Sequence, residues 1–113
     1  MEQQVAVEAL GALAQEARLT VFRLLVKAGP DGMTAGDIAA AVGLAASTMS
    51  HHLGALERAG LAQSRRAGRS VIYAADYAGT RRLLAFLMED CCQGRPELLG
   101  PDTAPAAAAC PAC

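Results

Sequence analysis

Apolar positions along the chain follow a helical rhythm, broken once near the middle. Val5, Leu10 and Leu13 predict a short first helix, with Ala6, Ala9 and Ala12 small enough for close packing. A second helix is predicted from about Ala17 to Ala28. Val21, Phe22, Leu24 and Leu25 follow its period, and Arg18, Arg23 and Lys27 lie between them. Gly29-Pro30-Asp31-Gly32 reads as a turn, since Gly ends a helix and Pro forbids its continuation. Thr34 is a candidate cap for a third helix, with Asp37 three residues on and Ile38, Ala39 and Val42 facing inward. Gly43 stops it. A fourth helix covers about Ala46 to Ala59 and is ended by Gly60. Its Met49, Leu53 and Leu56 recur at steps of three and four, which turns Thr48, Ser50, His51 and Gly54 outward.

The rhythm then changes. Leu61 to Arg66 and Ser70 to Ala75 read as short strands around Ala67-Gly68-Arg69, a hairpin. From about Tyr77 to Cys92 the period is helical again, with Leu83, Leu84, Leu87 and Met88 forming an apolar stripe. Beyond it the chain is rich in Pro, Gly and Ala without period. This divides it into a folded unit, residues 1–93, and a loose tail, residues 94–113. The fold class expected is mainly α with a β-hairpin wing (α+β): a winged helix-turn-helix.

Composition and charge sharpen this picture. At 113 residues the chain is one domain, and 53% apolar residues suffice for a core. A unit this small buries a modest share of its surface, so dimerisation is a natural supplement. The net charge of −1 alone suggests no nucleic-acid partner, but its distribution says more. Between residues 58 and 82 lie Arg58, Arg65, Arg66, Arg69, Arg81 and Arg82 against a single acid, Asp76. Such a local basic face binds phosphate whatever the total charge. No run reaches the roughly 18 apolar residues of a membrane span. The N-terminus, with Glu2 and no basic residue, does not read as a signal peptide, so reduced thiols in the cytoplasm are expected.

A helix that enters the major groove needs small polar side chains at its front, so that its backbone can approach the base edges. Ser47, Thr48, Ser50 and His51 meet that need, with no acid before Glu57. Arg65, Arg66 and Arg69 on the hairpin are placed for flanking phosphates or the minor groove. Serines and threonines at a helix start also serve as plain caps. His51 and His52 point about 100° apart, too divergent to share a metal easily. No Ser-His-Asp set, phosphate-cradling loop or paired carboxylates can be assembled, so no enzyme is expected.

The stretch "STMSHHLGALERAGL" followed by "AQSRRAGRSVIYAA", with "LAQEARLTVFRLLVKAG" before it, resembles the ArsR/SmtB family of bacterial metal-responsive repressors. The likeness covers roughly residues 5–92. It implies a homodimer joined by the first and last helices, bound to an inverted-repeat DNA operator and released by an inducer. It places Ala46, Ser47, Ser50 and His51 at the base-reading positions. Where the family often has Ser-Gln, this chain has Ala45-Ala46. Ala45 therefore cannot cap with a side chain, Ala46 cannot hydrogen-bond a base, and Ser47 or Thr48 is left to cap the helix.

The sensing site must differ from two that the family uses. The third helix begins in "MTAGDIAA", without the thiols of many arsenic sensors, and no histidine follows His52 for a zinc site on the last helix. All the cysteines lie late: Cys91 and Cys92 at the end of the last helix, then Cys110 and Cys113. "DCCQG" resembles arsenite sensors that carry their site there. Thiolates select soft ions. Trivalent arsenic or antimony prefers three, two from Cys91 and Cys92 and the third from Cys110 or Cys113. Seventeen residues separate Cys92 from Cys110, a flexible reach of roughly 20–25 Å. The expected ligand is thus As(III) or Sb(III) as an inducer, with no cofactor. The same cysteines also suit a thiol-based redox or sulfide signal. A methylated arsenical would need Cys91 and Cys92 alone. Zinc or cadmium on four cysteines fits poorly, because the side-by-side pair suits tetrahedral geometry badly. "CPAC" lacks the βαβ unit of a thioredoxin-like enzyme.

Overall fold

The structure is a computed structural model that describes residues 1–89. Five helices and three strands follow in the order α1 (Gln3–Leu13), α2 (Glu16–Ala28), β1 (Met33–Thr34), α3 (Ala35–Val42), α4 (Ala46–Arg58), β2 (Ala62–Ala67), β3 (Ser70–Ala75) and α5 (Tyr77–Leu87). The strands form an antiparallel sheet in the order β1-β3-β2. This is the winged helix-turn-helix that the apolar rhythm predicts, with the wing made by β2 and β3.

The core lies where α2, α3 and α4 meet the base of the sheet. Val21 and Leu25 of α2, Ile38 of α3, and Met49, Leu53 and Leu56 of α4 are fully buried, joined by Leu61. Thr34 caps α3 as expected, its hydroxyl accepting the Asp37 N–H at 3.1 Å. The short strand β1 has no counterpart in the sequence pattern. Met33 pairs with Tyr73 and Thr34 with Ile72, so the chain gains a sheet edge on its way from turn to helix.

The first and last helices both leave large apolar residues exposed. In α1 the buried residues are Ala6, Ala9 and Ala12, while Val5, Val7 and Leu10 are exposed. The alanines are therefore the packing face, and the larger residues point away from this chain's core. In α5 only Leu83 of the predicted leucine stripe is buried, and Leu84 and Leu87 are exposed. The helix also ends sooner. Met88 is its C-cap, its N–H bonded back to the Leu84 carbonyl, so among the described residues the helix closes at Leu87. The apolar stripe continues to Met88, but a stripe reports a face and not a stop. Cys91, Cys92, Cys110 and Cys113, with the expected boundary near residue 93, lie outside the described residues.

The start of α5 is fastened to the end of α2 and to the residue that follows the α4 turn. Asp76 caps it, accepting the Gly79 N–H at 2.9 Å, and the Asp76 N–H donates to the Leu61 carbonyl at 2.9 Å. The Tyr77 hydroxyl donates to the Val26 carbonyl at 3.1 Å. That carbonyl lies in the last turn of α2, where the helix leaves acceptors unsatisfied. Gly79 packs directly on the backbone after α4, so a Cβ at residue 79 would overlap the Gly60 carbonyl oxygen.

One buried polar side chain enters this core among the described residues: His52 of α4. Arg18 of α2 donates from Nε to His52 Nδ1 at 3.3 Å, which satisfies the ring and pins α2 to α4. The His52 pKa is lowered, first by burial and then by the positive charge of Arg18 and by His51. The folded protein therefore holds His52 neutral where the unfolded chain protonates it.

Two stability measurements follow. Gly79→Ala should lower stability by about 2–3 kcal/mol in urea unfolding, because neither backbone can yield. Gly36→Ala, which meets nothing within 4 Å, should be neutral or stabilise by up to about 1 kcal/mol. For His52, the unfolded chain binds the extra proton below about pH 6.5, so stability is complete above that pH and declines as pH falls toward the lower folded value. The urea midpoint should fall on acidification through this window, and His52→Gln should remove that part of the slope. An unchanged slope would show that His52 titrates alike in both states.

Candidate nucleic-acid interface

The turn between α3 and α4 is three residues, Gly43-Leu44-Ala45, with the Gly43 and Leu44 N–H groups both bonded to the Ala39 carbonyl. It sets α4 across α3 as the second helix of the helix-turn-helix. Burying Met49, His52, Leu53 and Leu56 on one face leaves Ala46, Ser47, Thr48, Ser50 and His51 exposed on the other. The predicted front is therefore assembled on one surface, with no acidic residue in its first turn. The capping expectation fails. Ala45 occupies the N-cap, and no side chain, neither Ser47 nor Thr48, caps the helix. The hydroxyls of both stay on the outer surface, and the helix N-terminus keeps its positive end uncompensated by a side-chain oxygen.

The wing stands beside this helix. β2 and β3 pair from Ala62 with Ala75 to Ala67 with Ser70, closed by Gly68-Arg69. Gly68 takes φ +63° and, among the described residues, no non-glycine residue has positive φ, the pattern of a tight hairpin with glycine first. Residues 63–70 are all exposed. The three predicted wing arginines are not equivalent. Arg65 reaches back and donates from Nη2 to the Asp31 carbonyl at 2.9 Å, bracing the wing on the loop after α2. Among the described residues, Arg66 and Arg69 take no protein partner and project their charge into solvent. Ser64 donates to the Glu57 carboxylate at 2.8 Å, which ties the end of α4 to the wing.

Arg18 is a member of this surface that the sequence pattern does not mark. Its Nη2 lies 3.4 Å from His51 Nε2 while its Nε serves His52. The two imidazole centroids are 5.9 Å apart and tilted by 57°. Both rings turn to the guanidinium from successive helix positions. Only the long-range approach of α2 brings Arg18 there, 33 positions earlier in the chain than His51. Among the described residues no three His, Cys, Asp or Glu side chains gather to hold a metal, and no helix is long and apolar enough to cross a membrane. Arg81 and Arg82 are exposed on α5.

A helix-turn-helix domain family matches residues 13–65. No curated protein sequence matches the chain. Among solved structures, Rv0081 from Mycobacterium tuberculosis is 31% identical over 80% of this chain and 97% of that one, with a TM-score of 0.58. A homodimeric winged helix-turn-helix DNA-binding domain from Mycobacterium bovis, described as a possible ArsR-family transcriptional regulator, is 28% identical over 78% of this chain and 81% of that one, at TM-score 0.63. A possible transcriptional regulator for arsenical resistance is 28% identical over 74% of this chain and 84% of that one, at TM-score 0.63. With its helix-turn-helix, its wing and these likenesses, the chain belongs to the ArsR family of winged helix-turn-helix transcriptional regulators, a family of regulators and not of enzymes.

Proposed function

We propose that the protein is a cytoplasmic, homodimeric repressor that holds an inverted-repeat operator in duplex DNA and releases it on binding trivalent arsenic or antimony. The observation that carries the DNA-binding half is the exposed, acid-free front of α4, Ser47, Thr48, Ser50 and His51, flanked by the outward-projecting Arg66 and Arg69. The polar front allows close approach to base edges, and the wing supplies phosphate or minor-groove contacts. Support for the dimer comes from Val5 and Leu10 on α1 and Leu84 and Leu87 on α5, apolar residues left exposed by a chain that packs α1 against α5. The Mycobacterium bovis relative is itself homodimeric. Two α4 helices related by a twofold axis read half-sites about 34 Å apart.

The inducer half rests on donor chemistry. Thr34 to Ala40 carries no thiol. The four cysteines, Cys91, Cys92, Cys110 and Cys113, are soft donors suited to a pyramidal arsenic centre, which releases one water for each thiol bound to arsenous acid. One similar structure is a possible regulator for arsenical resistance. The start of α5, fastened to Val26 and Leu61, gives a change near residue 91 a route to α2 and to the end of α4. To empty the operator, arsenic must favour the DNA-free form by a few kcal/mol.

Gel shifts with a fragment bearing an inverted repeat test the first half. Wild-type protein should bind at low salt, and Ser50→Ala with His51→Ala should weaken operator binding by about 2–3 kcal/mol. Removing Arg66 and Arg69 should reduce the salt slope by about 0.9 for each phosphate that a subunit no longer neutralises. Protein that ignores every such fragment at low ionic strength refutes it. Arsenite added to reduced protein should release the fragment, and Cys91→Ser or Cys92→Ser should abolish the response. Release by phenylarsine oxide, or by a polysulfide or disulfide that oxidises the thiols, but not by arsenite would replace the three-thiolate inducer with a two-thiol or redox signal.

A further inference from the structure

Arg18 bridges two histidines whose roles differ: His52 is buried in the core and His51 is exposed on the front of α4. We propose that Arg18 fixes the ring proton of His51 on Nδ1, making residue 51 a hydrogen-bond donor that reads a guanine in the operator. This rests on the DNA-binding reading and specifies which base chemistry it uses.

The chemistry is forced by the guanidinium. Arginine carries only donors and stays charged. Its Nη2 lies 3.4 Å from His51 Nε2, so that nitrogen must present its lone pair, and the neutral ring then carries its proton on Nδ1. The same side chain donates from Nε to His52 Nδ1 at 3.3 Å, which leaves the His52 proton on Nε2. One planar fork therefore sets opposite tautomers on adjacent residues. Arg18 is itself held in place, half-buried, with its backbone N–H donating to the Gln15 side chain at 2.9 Å. An unrestrained neutral histidine favours the proton on Nε2, so His51 departs from the intrinsic preference and His52 follows it.

With Nε2 committed to Arg18, Nδ1–H is the polar group that His51 has left for a ligand. A lone donor in the major groove is best served by guanine, whose N7 and O6 both accept. Adenine sets a competing donor beside its N7, thymine a methyl group beside O4, and cytosine offers a donor. Arg18 is thus a positioning residue: it acts on DNA through the proton it assigns.

Two readouts on the full-length reduced protein decide this. Long-range nitrogen–proton correlation on histidine-labelled protein at about pH 8, where free imidazole is neutral, should show Nδ1–H for His51 and Nε2–H for His52. In Arg18→Met the His51 proton should return to Nε2. A wild-type His51 with its proton on Nε2 overturns the proposal without any variant, so a failure of Arg18→Met to fold does not shield it. In the second readout, operators selected from random duplexes are scanned with 7-deazaguanine. One guanine in each half-site should lose about three- to tenfold in wild-type affinity when N7 is removed, about one hydrogen bond, and nothing further in His51→Ala. A selected operator with no such guanine also overturns the proposal. Selection of no duplex at all defeats the DNA-binding reading beneath it, while the tautomers remain measurable.

Discussion

The constraint on which the molecule depends is the division of α4 into two faces. Met49, Leu53 and Leu56 are fully buried against α2, α3 and the base of the wing. Because they recur every three or four residues, the helix has one rotational setting, and that setting decides what solvent sees. Ser47, Thr48, Ser50 and His51 are outside because those three cannot be. A rotation of one residue would expose core leucine or methionine, at about 1.5–3 kcal/mol for each side chain. The polar front is fixed by the apolar back.

Around that helix, polar contacts set its neighbours at defined distances. Arg18 ties α2 to it at His52, Ser64 ties the wing to it at Glu57, and Asp76 ties α5 to the turn that follows it. Each is a single hydrogen bond of modest net worth. Their combined value lies in position more than in stability. The wing, the α2 N-terminus and the start of α5 all take their placement from one element.

Much of this is legible in the chain. Helical periods mark α2, α3 and α4 nearly to the residue, Thr34 and Gly43 set the limits of α3, and Gly68 closes the hairpin. These are local signals with local causes. What escapes depends on distance or on what the chain packs against. The two-residue strand β1 forms only because β3 supplies its partner. The alanines of α1 pack inward as their size allows, but where the larger Val5 and Leu10 go, here to the exposed side, is not marked in the pattern. The end of α5 is hidden because apolar residues continue past Leu87. Arg18 looks like one more solvated charge between apolar positions, since nothing near it in sequence announces a pair of imidazoles over thirty positions away. The hydroxyls of Ser47 and Thr48 suit a capping task that the structure leaves undone at Ala45.

The brace between Arg65 and the Asp31 carbonyl has a consequence for how such proteins diversify. It makes the short segment after α2 a spacer that governs the pitch of the β-hairpin. Lengthening or trimming that segment would tilt the arginine-bearing tip relative to α4 while leaving the exposed side chains of α4 untouched. On the proposed DNA-binding reading, the length of this loop alone would then set how the hairpin meets the DNA flanking a site, with the front of α4 unchanged.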